Sequence, residues 1–317
     1  MTAQIIILFI IGIVLIVKGG DLFVDASVWI AEVSGIPKFI IGATIVSFAT
    51  TLPELLVSVF AAIDGKSDMA VGNAVGSVTA NIGLIMAVSI LFIPVCIKRR
   101  EFIFKPLLMI ASIVLLIIFS LGESLSLAGS LVIISLFAVF IVENIRSAKR
   151  TVGTEAEKKQ ISSKKEVVFG TAKFILGTVG IVVGARLLVD NGSEIARAVG
   201  ISEAVISVTV IAVGTSLPEL VTTITAIVKK QPNLSVGNII GANIFDITLI
   251  MPICSIIKGG SLSVSKQGLM LDMPACLAVA VIAVIPAIIS GKFRRLQGGV
   301  LLAAYVAYLT VMIVYFV

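Results

Sequence analysis

The amino-acid sequence predicts an all-α membrane protein with about ten transmembrane helices arranged as two inverted five-helix repeats. Three observations lead to this fold class: an apolar composition, long continuous apolar runs, and an internal sequence repeat. Of the 317 residues, 58% are hydrophobic and only 13% are charged, whereas about 25% of the residues of a soluble domain are charged. With a mean hydropathy of +1.18, the chain has the composition of a polytopic membrane protein.

The net charge, the absence of histidine and the few cysteines exclude several classes of function. The formal net charge is +6, but the basic residues stand in short gaps between apolar runs, so no nucleic-acid partner is expected. The chain has no histidine, and its three cysteines form no CxxC pair and are interpreted as packing residues. These features argue against haem, the HExxH zinc motif and an imidazole general base. We therefore expect no enzymatic activity and no organic cofactor. The cysteines are Cys96, Cys254 and Cys276.

Ten apolar runs have the length needed to cross the hydrocarbon core, which takes about 20 mainly apolar residues per helix. The runs are continuous rather than alternating, which indicates helices and not a barrel. The first run, residues 5–17, has no basic residue before it and no obvious cleavage site after it, so we expect a retained helix. The predicted spans are residues 4–24, 38–62, 70–94, 104–121, 126–146, 167–189, 203–228, 234–257, 271–290 and 296–316.

Basic residues in the gaps predict the orientation, because short cytoplasmic loops carry an excess of lysine and arginine. The gaps after spans three, five, seven and nine are rich in basic residues, while the alternate gaps hold few. The odd-numbered loops are therefore expected in the cytoplasm, with both termini outside the cell and the protein in the plasma membrane. The basic residues of these gaps are Lys98, Arg99, Arg100, Lys105, Arg146, Lys149, Arg150, Lys158, Lys159, Lys164, Lys165, Lys229, Lys230, Lys292, Arg294 and Arg295.

The sequence contains an internal repeat. Residues 42–61 (GATIVSFATTLPELLVSVFA) align with 207–226 (SVTVIAVGTSLPELVTTITA), and 71–82 (VGNAVGSVTANI) align with 236–247 (VGNIIGANIFDI). The offset is 165 residues in both blocks, as between Glu54 and Glu219, and no gap is needed.

The repeat predicts the domain organisation and the topology. Five spans accompany each copy, and this odd number forces the second set to enter the membrane from the opposite side. Secondary transporters often contain such inverted repeats, with ion sites near the midplane at the repeat interface; a duplicated scaffold is the alternative. We predict a first repeat at residues 1–146, a cytoplasmic linker at 147–166 and a second repeat at 167–317.

Three acidic residues lie deep within predicted spans, where an ionisable side chain costs about 2.5–3.5 kcal/mol and marks a functional candidate. Glu54 and Glu219 occupy equivalent positions in the two copies, and Asp246 lies in the middle of span eight. The other acids stand at span ends or in loops, where water solvates them. Pseudo-symmetry is expected to bring Glu54 and Glu219 face to face.

Each glutamate follows a proline, in residues 50–54 (TTLPE) and 215–219 (TSLPE). Proline removes one helical hydrogen bond and clashes with the carbonyl four residues earlier. Broken helices are tolerated at membrane depth where they line a cavity. Each motif is therefore expected to offer a carboxylate, hydroxyls and free carbonyls, the latter around residues 47–50 and 212–215.

Spans three and eight supply further oxygen atoms. Ser77 and Asn81 lie four residues apart on one helix face, and Ala242 and Asp246 stand at the equivalent positions. Two glycines on these spans are expected to allow close helix approach: Gly76 and Gly241. The amides near the beginning of the spans are interpreted as helix-start residues outside the ligand set: Asn73 and Asn238.

An oxygen site of this kind suits a hard cation. Calcium takes six to eight oxygen ligands in flexible geometry, and the absence of histidine argues against zinc, copper and iron. Two glutamates neutralise one calcium ion. Without calcium they repel each other, so a proton or a monovalent ion is expected to replace it.

The paired motifs, each followed by a VGN…N or VGN…D helix, resemble those of the cation/calcium exchanger superfamily, in particular its prokaryotic sodium/calcium exchanger branch. The resemblance is strongest over residues 36–90 and 201–255. It implies ten helices in two antiparallel repeats, with a moving pair of first helices giving alternating access. It also implies that calcium and sodium bind to Glu54, Glu219, Thr50 and Thr215, with sodium sites that add Thr51, Ser216, Ser77, Asn81, Asp246 and carbonyls near Ser47 and Ala212.

Two positions depart from that family pattern. Ala242 stands where sodium/calcium exchangers often have a serine, so one hydroxyl of a sodium site is missing, and Ala49 stands where the second copy has Gly214. The motif of the proton/calcium branch, of an asparagine-alanine-threonine-glutamate type, is absent. We predict a calcium/sodium antiporter in the lipid bilayer, with a proton/calcium antiporter and a cation channel as the alternatives. The stoichiometry and the oligomeric state are left open.

Overall fold

The computed structural model describes residues 3–92, 97, 102–152, 164–198, 214 and 216–316. Two of the predicted site residues, Thr215 and Ala212, lie outside the described residues, as does most of the first half of predicted span seven. Cys96 lies outside them as well.

Helices make up nearly all of the described chain. Seven of them are long and apolar enough to cross a membrane, the bent pair α2–α3 passes the same test when taken together, and α5 and α8 are shorter apolar helices. The protein is thus a helical, multi-pass membrane protein, and the count of ten spans stays a prediction. The helices are α1 (Ala3–Ser34), α2 (Lys38–Thr50), α3 (Leu52–Ile63), α4 (Ser67–Phe92), α5 (Phe104–Ser120), α6 (Leu127–Val152), α7 (Lys164–Ala198), α8 (Leu217–Val228), α9 (Pro232–Ile257), α10 (Gly268–Ser290) and α11 (Arg295–Phe316).

Several helices are longer than the predicted spans. α1 continues to Ser34 instead of ending near residue 24, and α7 ends at Ala198 instead of near residue 189. Asp25 and Asp190, which were expected at span ends, therefore lie within helices, with side chains that are 52% and 66% exposed. An exposed acid ends an apolar run but does not end a helix, so hydropathy alone underestimates the helix length.

Small residues allow α1 and α7 to pack closely along each other. The Cα of Gly19 faces the backbone of Gly177 and Ile181, and the Cα of Gly177 faces Phe23, so a Cβ at either glycine would clash with the partner helix. The pair contacts the remaining helices chiefly through α2 and α8. A separate apolar cluster, which includes Ile16 and Val46, fills this interface.

The main apolar core surrounds α4 and α9, which are buried along most of their length. α9 packs against α2, where Gly241 leaves room for Ala43 and Ser47. This confirms the expected close approach at Gly241. At Gly76 no described atom lies within 4 Å of the position that a Cβ would take, so the expected close approach is not observed in the described part of the chain.

A short β-ladder joins two connections between helices, which the all-α prediction did not include. β1 (Ser124–Ser126) pairs with β2 (Ser261–Ser263) in antiparallel register, with Leu125 opposite Leu262. Both leucine side chains are fully buried, and the Ser255 hydroxyl donates to the carbonyl of Leu125 at 3.0 Å. The ladder ties the α5–α6 connection to the α9–α10 connection.

Equivalent helices of the two sequence copies have matching bounds. α3 and α8 are both 12 residues long and carry their proline at the second position. π-Helical turns begin at Asn81 in α4 and at Asp246 in α9, and both pairs of starting points differ by 165 residues. The same local sequence thus begins a helix at the same position and produces the same helix irregularity in each copy.

Candidate ion-binding site

The first proline motif breaks the span in which it lies. α2 ends at Thr50, α3 begins at Leu52, and the two helix axes differ by 46°. Pro53 has no backbone N–H, so the carbonyl of Ala49 loses its usual helical donor. The break places Glu54 in the first turn of α3, just as Glu219 lies in the first turn of α8.

Two donors lie within hydrogen-bond distance of the Ser47 carbonyl. The backbone N–H of Thr51 donates to it at 2.9 Å and the hydroxyl of Thr50 at 3.3 Å. The Ser47 hydroxyl donates to the carbonyl of Gly42 at 2.6 Å and lies 3.1 Å from the carbonyl of Asn238. The predicted role of the Ser47 carbonyl as an ion ligand stays a prediction, and it requires one of these bonds to be released.

Three carboxylates meet in the interior of the protein. Glu54, Glu219 and Asp246 are each about 1% exposed. Their charges lie close enough to repel: Glu54 interacts with both other carboxylates, and Asp246 interacts with Glu219. Within the described chain, no lysine or arginine forms an ion pair with them. Burying like charges without a counter-charge is strongly unfavourable, so this site requires cations or protons.

Most oxygen atoms of these carboxylates have no hydrogen-bond partner among the described residues. Both oxygens of Glu54, both of Asp246 and Oε2 of Glu219 are buried and unpaired, while Oε1 of Glu219 accepts from the Thr51 hydroxyl at 3.3 Å. Unpaired buried oxygens are rare in folded proteins. Three other predicted ligands also have a buried oxygen without a partner among the described residues: Ser77 Oγ, Asn81 Oδ1 and Ser216 Oγ.

Besides Asn81, the side-chain amide of Asn238 on α9 also contacts the site. Asn238 is buried, its Nδ2 donates to the Thr222 hydroxyl at 3.0 Å, and its Oδ1 lies 3.2 Å from the Thr50 hydroxyl. The Thr50 hydroxyl has one proton, which it can donate either to this oxygen or to the carbonyl of Ser47, and in both cases its lone pairs stay available for a cation. The interpretation of Asn238 as a helix-start residue therefore missed a direct contact with a predicted ligand.

The counterpart of Asn238 in the first copy makes different bonds. Asn73 donates to the carbonyl of Glu54 at 3.2 Å and to the Ser58 hydroxyl at 2.9 Å. It therefore holds the backbone at the first turn of α3 rather than a ligand hydroxyl. The two amides were recognisable from the sequence as equivalent polar residues within apolar spans, but their separate partners were not.

The buried residue Asn243 was not recognisable as a site residue from the internal repeat. The amide of Asn81 donates to Oδ1 of Asn243 at 3.0 Å, and Asn243 is fully buried. Its counterpart in the first copy is Val78, so comparison of the two copies did not point to this position.

The predicted ligands that lie in the described chain are all buried. The three carboxylates lie together and Thr51 contacts Glu219, while Ala242 is fully buried at the position where Ser77 stands in the first copy. Within the described ranges, no group of three or more His, Cys, Asp and Glu side chains is arranged to hold a metal ion by itself. An ion would therefore need hydroxyl, amide or backbone oxygens besides the carboxylates.

These features define a multi-pass membrane protein with a buried, acidic, oxygen-lined site beside a broken helix. The chain belongs to the sodium/calcium exchanger protein family, whose sequence profile matches residues 4–146 and 169–314. The predicted resemblance to prokaryotic sodium/calcium exchangers is thereby confirmed.

Relatives along the whole chain support this assignment. The sodium/calcium exchanger MaX1 of Methanosarcina acetivorans is 32% identical in an alignment that covers 96% of this chain and 97% of the relative. The putative antiporter CaxA of Alkalimonas amylolytica is 32% identical over 313 residues, with 95% and 96% covered. A structure of the sodium-calcium exchanger NCX_Mj, soaked with 10 mM Na⁺ and zero Ca²⁺, superposes with a TM-score of 0.83 at 28% identity and full coverage of both chains.

Proposed function

We propose that the protein is a secondary active antiporter that exchanges calcium for sodium by alternating access at a site near the bilayer midplane. The observation that carries this proposal is the set of buried, unpaired carboxylate oxygens of Glu54, Glu219 and Asp246. Membership of the sodium/calcium exchanger family supports the choice of ions.

Calcium is assigned to the two motif glutamates. Glu54 and Glu219 carry two negative charges, which match one calcium ion, and Thr50 and Thr215 add hydroxyl oxygens from the residues before each helix break. Calcium accepts such a mixture of carboxylate, hydroxyl and carbonyl oxygens in flexible geometry.

Sodium is assigned to the surrounding oxygens together with the same glutamates. Ser77, Ser216 and Asn81 each offer a buried oxygen that has no partner among the described residues. The proposed sodium ligands include Glu54, Glu219, Thr50 and Thr215. The remaining sodium ligands are Thr51, Ser216, Ser77, Asn81, Asp246 and the carbonyls of Ser47 and Ala212.

Repulsion between the buried carboxylates explains why one kind of ion is exchanged for the other. The carboxylates repel one another in a buried site, so a site without cations is strongly disfavoured. Calcium and a set of sodium ions both relieve the repulsion, but they compete for the same glutamates. A protein that changes conformation only when the site is neutralised will therefore move one kind of ion for the other.

The proposed architecture follows the sequence repeat. The two inverted units, residues 1–146 and 167–317, place one helix break each near the midplane, and the linker at 147–166 lies in the cytoplasm with both termini outside. We assign the change in access to the α1–α7 pair, because it contacts the other helices chiefly through α2 and α8. The plasma membrane is the proposed location, where inward sodium would drive calcium out.

Calcium uptake into proteoliposomes tests this function. Purified protein is reconstituted, the lumen is loaded with sodium, potassium or an acidic buffer, and uptake is followed after dilution into calcium. We expect uptake only with luminal sodium, and we expect it to persist when a protonophore collapses the pH gradient. Protein-free liposomes and the Glu54→Gln variant serve as controls.

A specific observation favours a second candidate, a proton/calcium antiporter at the same glutamates. Ala242 is fully buried where the first copy has Ser77, so one hydroxyl is absent from the proposed sodium set. Uptake that follows the pH gradient, with sodium inert, would replace the proposed function by this one. Flux that does not saturate with calcium and needs no counter-ion would indicate a channel.

A further inference from the structure

A buried asparagine next to the site has no role in the proposed ligand set. Asn243 lies on α9, three residues before Asp246, and is fully buried. Its Oδ1 accepts a hydrogen bond of 3.0 Å from Nδ2 of Asn81 on α4. This bond connects the two helices that carry Asp246 and Asn81.

The second copy of the repeat has its polar group at a different position from the first. The first copy has Ser77 followed by Val78, and the second has Ala242 followed by Asn243. The hydroxyl that is missing at residue 242 is thus accompanied by an amide at residue 243. Because one helix residue turns by about 100°, the amide points in a different direction from the lost hydroxyl and does not replace it.

The bond to Asn243 decides which end of the Asn81 amide is free. An amide group offers an N–H₂ donor at one end and an oxygen acceptor at the other. With Nδ2 donated to Asn243, Oδ1 of Asn81 remains buried and unpaired in the described chain.

We propose that Asn243 is a positioning residue that holds the Asn81 amide with its oxygen available to the transported cation. The inference rests on the proposed function in that calcium and sodium are taken as the cargo. Asn243 itself does not bind the ion in this arrangement. Its Oδ1 is used by Asn81, and its own Nδ2, which has no partner among the described residues, is a donor that a cation avoids.

A double-mutant cycle tests this role, with sodium binding as the readout, because Asn81 belongs to the proposed sodium set. Asn243→Leu removes the acceptor at nearly constant side-chain size, and Asn81→Ala removes the amide that the acceptor positions. The midpoint of thermal stabilisation by sodium is measured in calcium-free detergent solution for the wild-type protein, both single variants and the double variant. We expect Asn243→Leu to raise the midpoint about fivefold in the wild-type protein and less than about twofold in Asn81→Ala, since residues that act as one unit are not additive.

Two further variants complete the test. Asn243→Val places at residue 243 the valine of the first copy, and it replaces Asn243→Leu if the leucine variant does not fold. Asn144→Leu is the matched control, because Asn144 is also buried, donates its Nδ2 within its own helix at 2.8 Å, and has an Oδ1 without a partner among the described residues. This control is expected to leave the sodium midpoint unchanged.

Two outcomes would overturn the inference. An unchanged sodium midpoint in both Asn243 variants would show that residue 243 is not needed to position Asn81. An equal shift in the wild-type and Asn81→Ala backgrounds would assign Asn243 a structural role that is independent of Asn81. Sodium-driven calcium uptake by the same wild-type preparation tests the proposed function separately, so the two failures are distinguishable.

Discussion

The two motif glutamates stand at equivalent positions but differ in their hydrogen bonds. Oε1 of Glu219 accepts from Thr51, whereas neither oxygen of Glu54 has a partner in the described chain. Glutamine keeps the shape of the side chain and removes its charge. We expect Glu54→Gln and Glu219→Gln each to reduce calcium flux about 100-fold or more, because a buried charged ligand is lost.

The fold is expected to survive these substitutions, since removal of one charge relieves repulsion among the three buried carboxylates. In buffer without calcium or sodium, the melting temperature of either variant is therefore expected to equal or exceed that of the wild-type protein. Flux into proteoliposomes and thermal unfolding are measured on the same preparations. Glu194→Gln is the control, because Glu194 makes an exposed ion pair with Arg197 at 2.7 Å. Wild-type flux in Glu54→Gln would disprove the proposed site.

The sequence was sufficient to find the charged residues of the site but not its neutral amides. Glu54, Glu219 and Asp246 were recognised because a charge within an apolar span is costly. An asparagine in a span costs less and has several ordinary roles, so Asn238 was assigned to a helix start. Asn243 was missed because its counterpart is Val78, and its bond to Asn81 depends on how α4 packs against α9.

At the scale of the helix, the break between α2 and α3 depends on Pro53. Alanine at this position would restore a backbone N–H for the carbonyl of Ala49 and would straighten the 46° bend. We expect Pro53→Ala to lower calcium flux about tenfold, because Glu54 and Thr50 would move relative to each other by a fraction of a helical turn. The melting temperature is not expected to fall, since the helix gains a hydrogen bond.

Flux and thermal unfolding of Pro53→Ala distinguish a functional break from a merely tolerated one. Pro286→Ala is the matched control, because Pro286 lies exposed within the continuous helix α10. Normal calcium flux in Pro53→Ala would show that the site does not need the break. A strong loss of flux in both variants would point to a general effect of proline removal on folding.

A second prediction at the scale of helices concerns the contact between α1 and α8. Nζ of Lys229, just after α8, lies 2.7 Å from Oδ1 of Asp25 and 3.4 Å from Oδ1 of Asp21 on α1. The lysine side chain is 25% exposed, so the pair is expected to contribute less than about 1 kcal/mol. We expect Lys229→Met to lower the melting temperature by about 1–3 °C, and more at low than at high salt.

The control for this ion pair is a pair that lies within one helix. Arg186 and Asp190 of α7 are 3.8 Å apart and largely exposed, so Arg186→Met is expected to leave the melting temperature unchanged. An equal effect of the two substitutions would mean that the Lys229 contact does not connect α1 to α8 energetically.

Helix ends were less predictable than the existence of the helices. The apolar runs gave the spans, because the hydrocarbon core demands continuous apolar residues. They did not give the ends of α1 and α7, since both helices extend beyond their apolar runs through exposed acids such as Asp25 and Asp190. The π-helical turns that begin at Asn81 and Asp246 left no recognisable pattern in the sequence.

At the scale of the whole molecule, the segments that connect consecutive spans form two groups, and hydrogen bonds join members of the same group. Lys38 donates to Gln231 at 2.8 Å, and Trp29 donates to Glu166 at 3.3 Å, which links the connections after predicted spans one, five and seven. The backbone N–H of Ile97 donates to the carbonyl of Gly291 at 3.1 Å, which links those after spans three and nine. The β1–β2 ladder links those after spans four and eight. Odd-numbered connections thus contact odd-numbered ones, and even-numbered connections contact even-numbered ones.

If the chain crosses the membrane at every predicted span, odd-numbered and even-numbered connections must lie on opposite sides, as this grouping requires. The basic residues then predict which group faces the cytoplasm. Fusion proteins in a bacterial host test the sidedness. Alkaline phosphatase fused after residue 317 is expected to be active, because it would lie outside, and green fluorescent protein at the same position is expected to be dark. Fusions made within residues 153–163 are expected to give the reverse result. An active phosphatase in the linker together with a fluorescent C-terminal fusion would show that the orientation is the reverse of the predicted one. The same signal at both positions would mean that the chain crosses the membrane an even number of times between them.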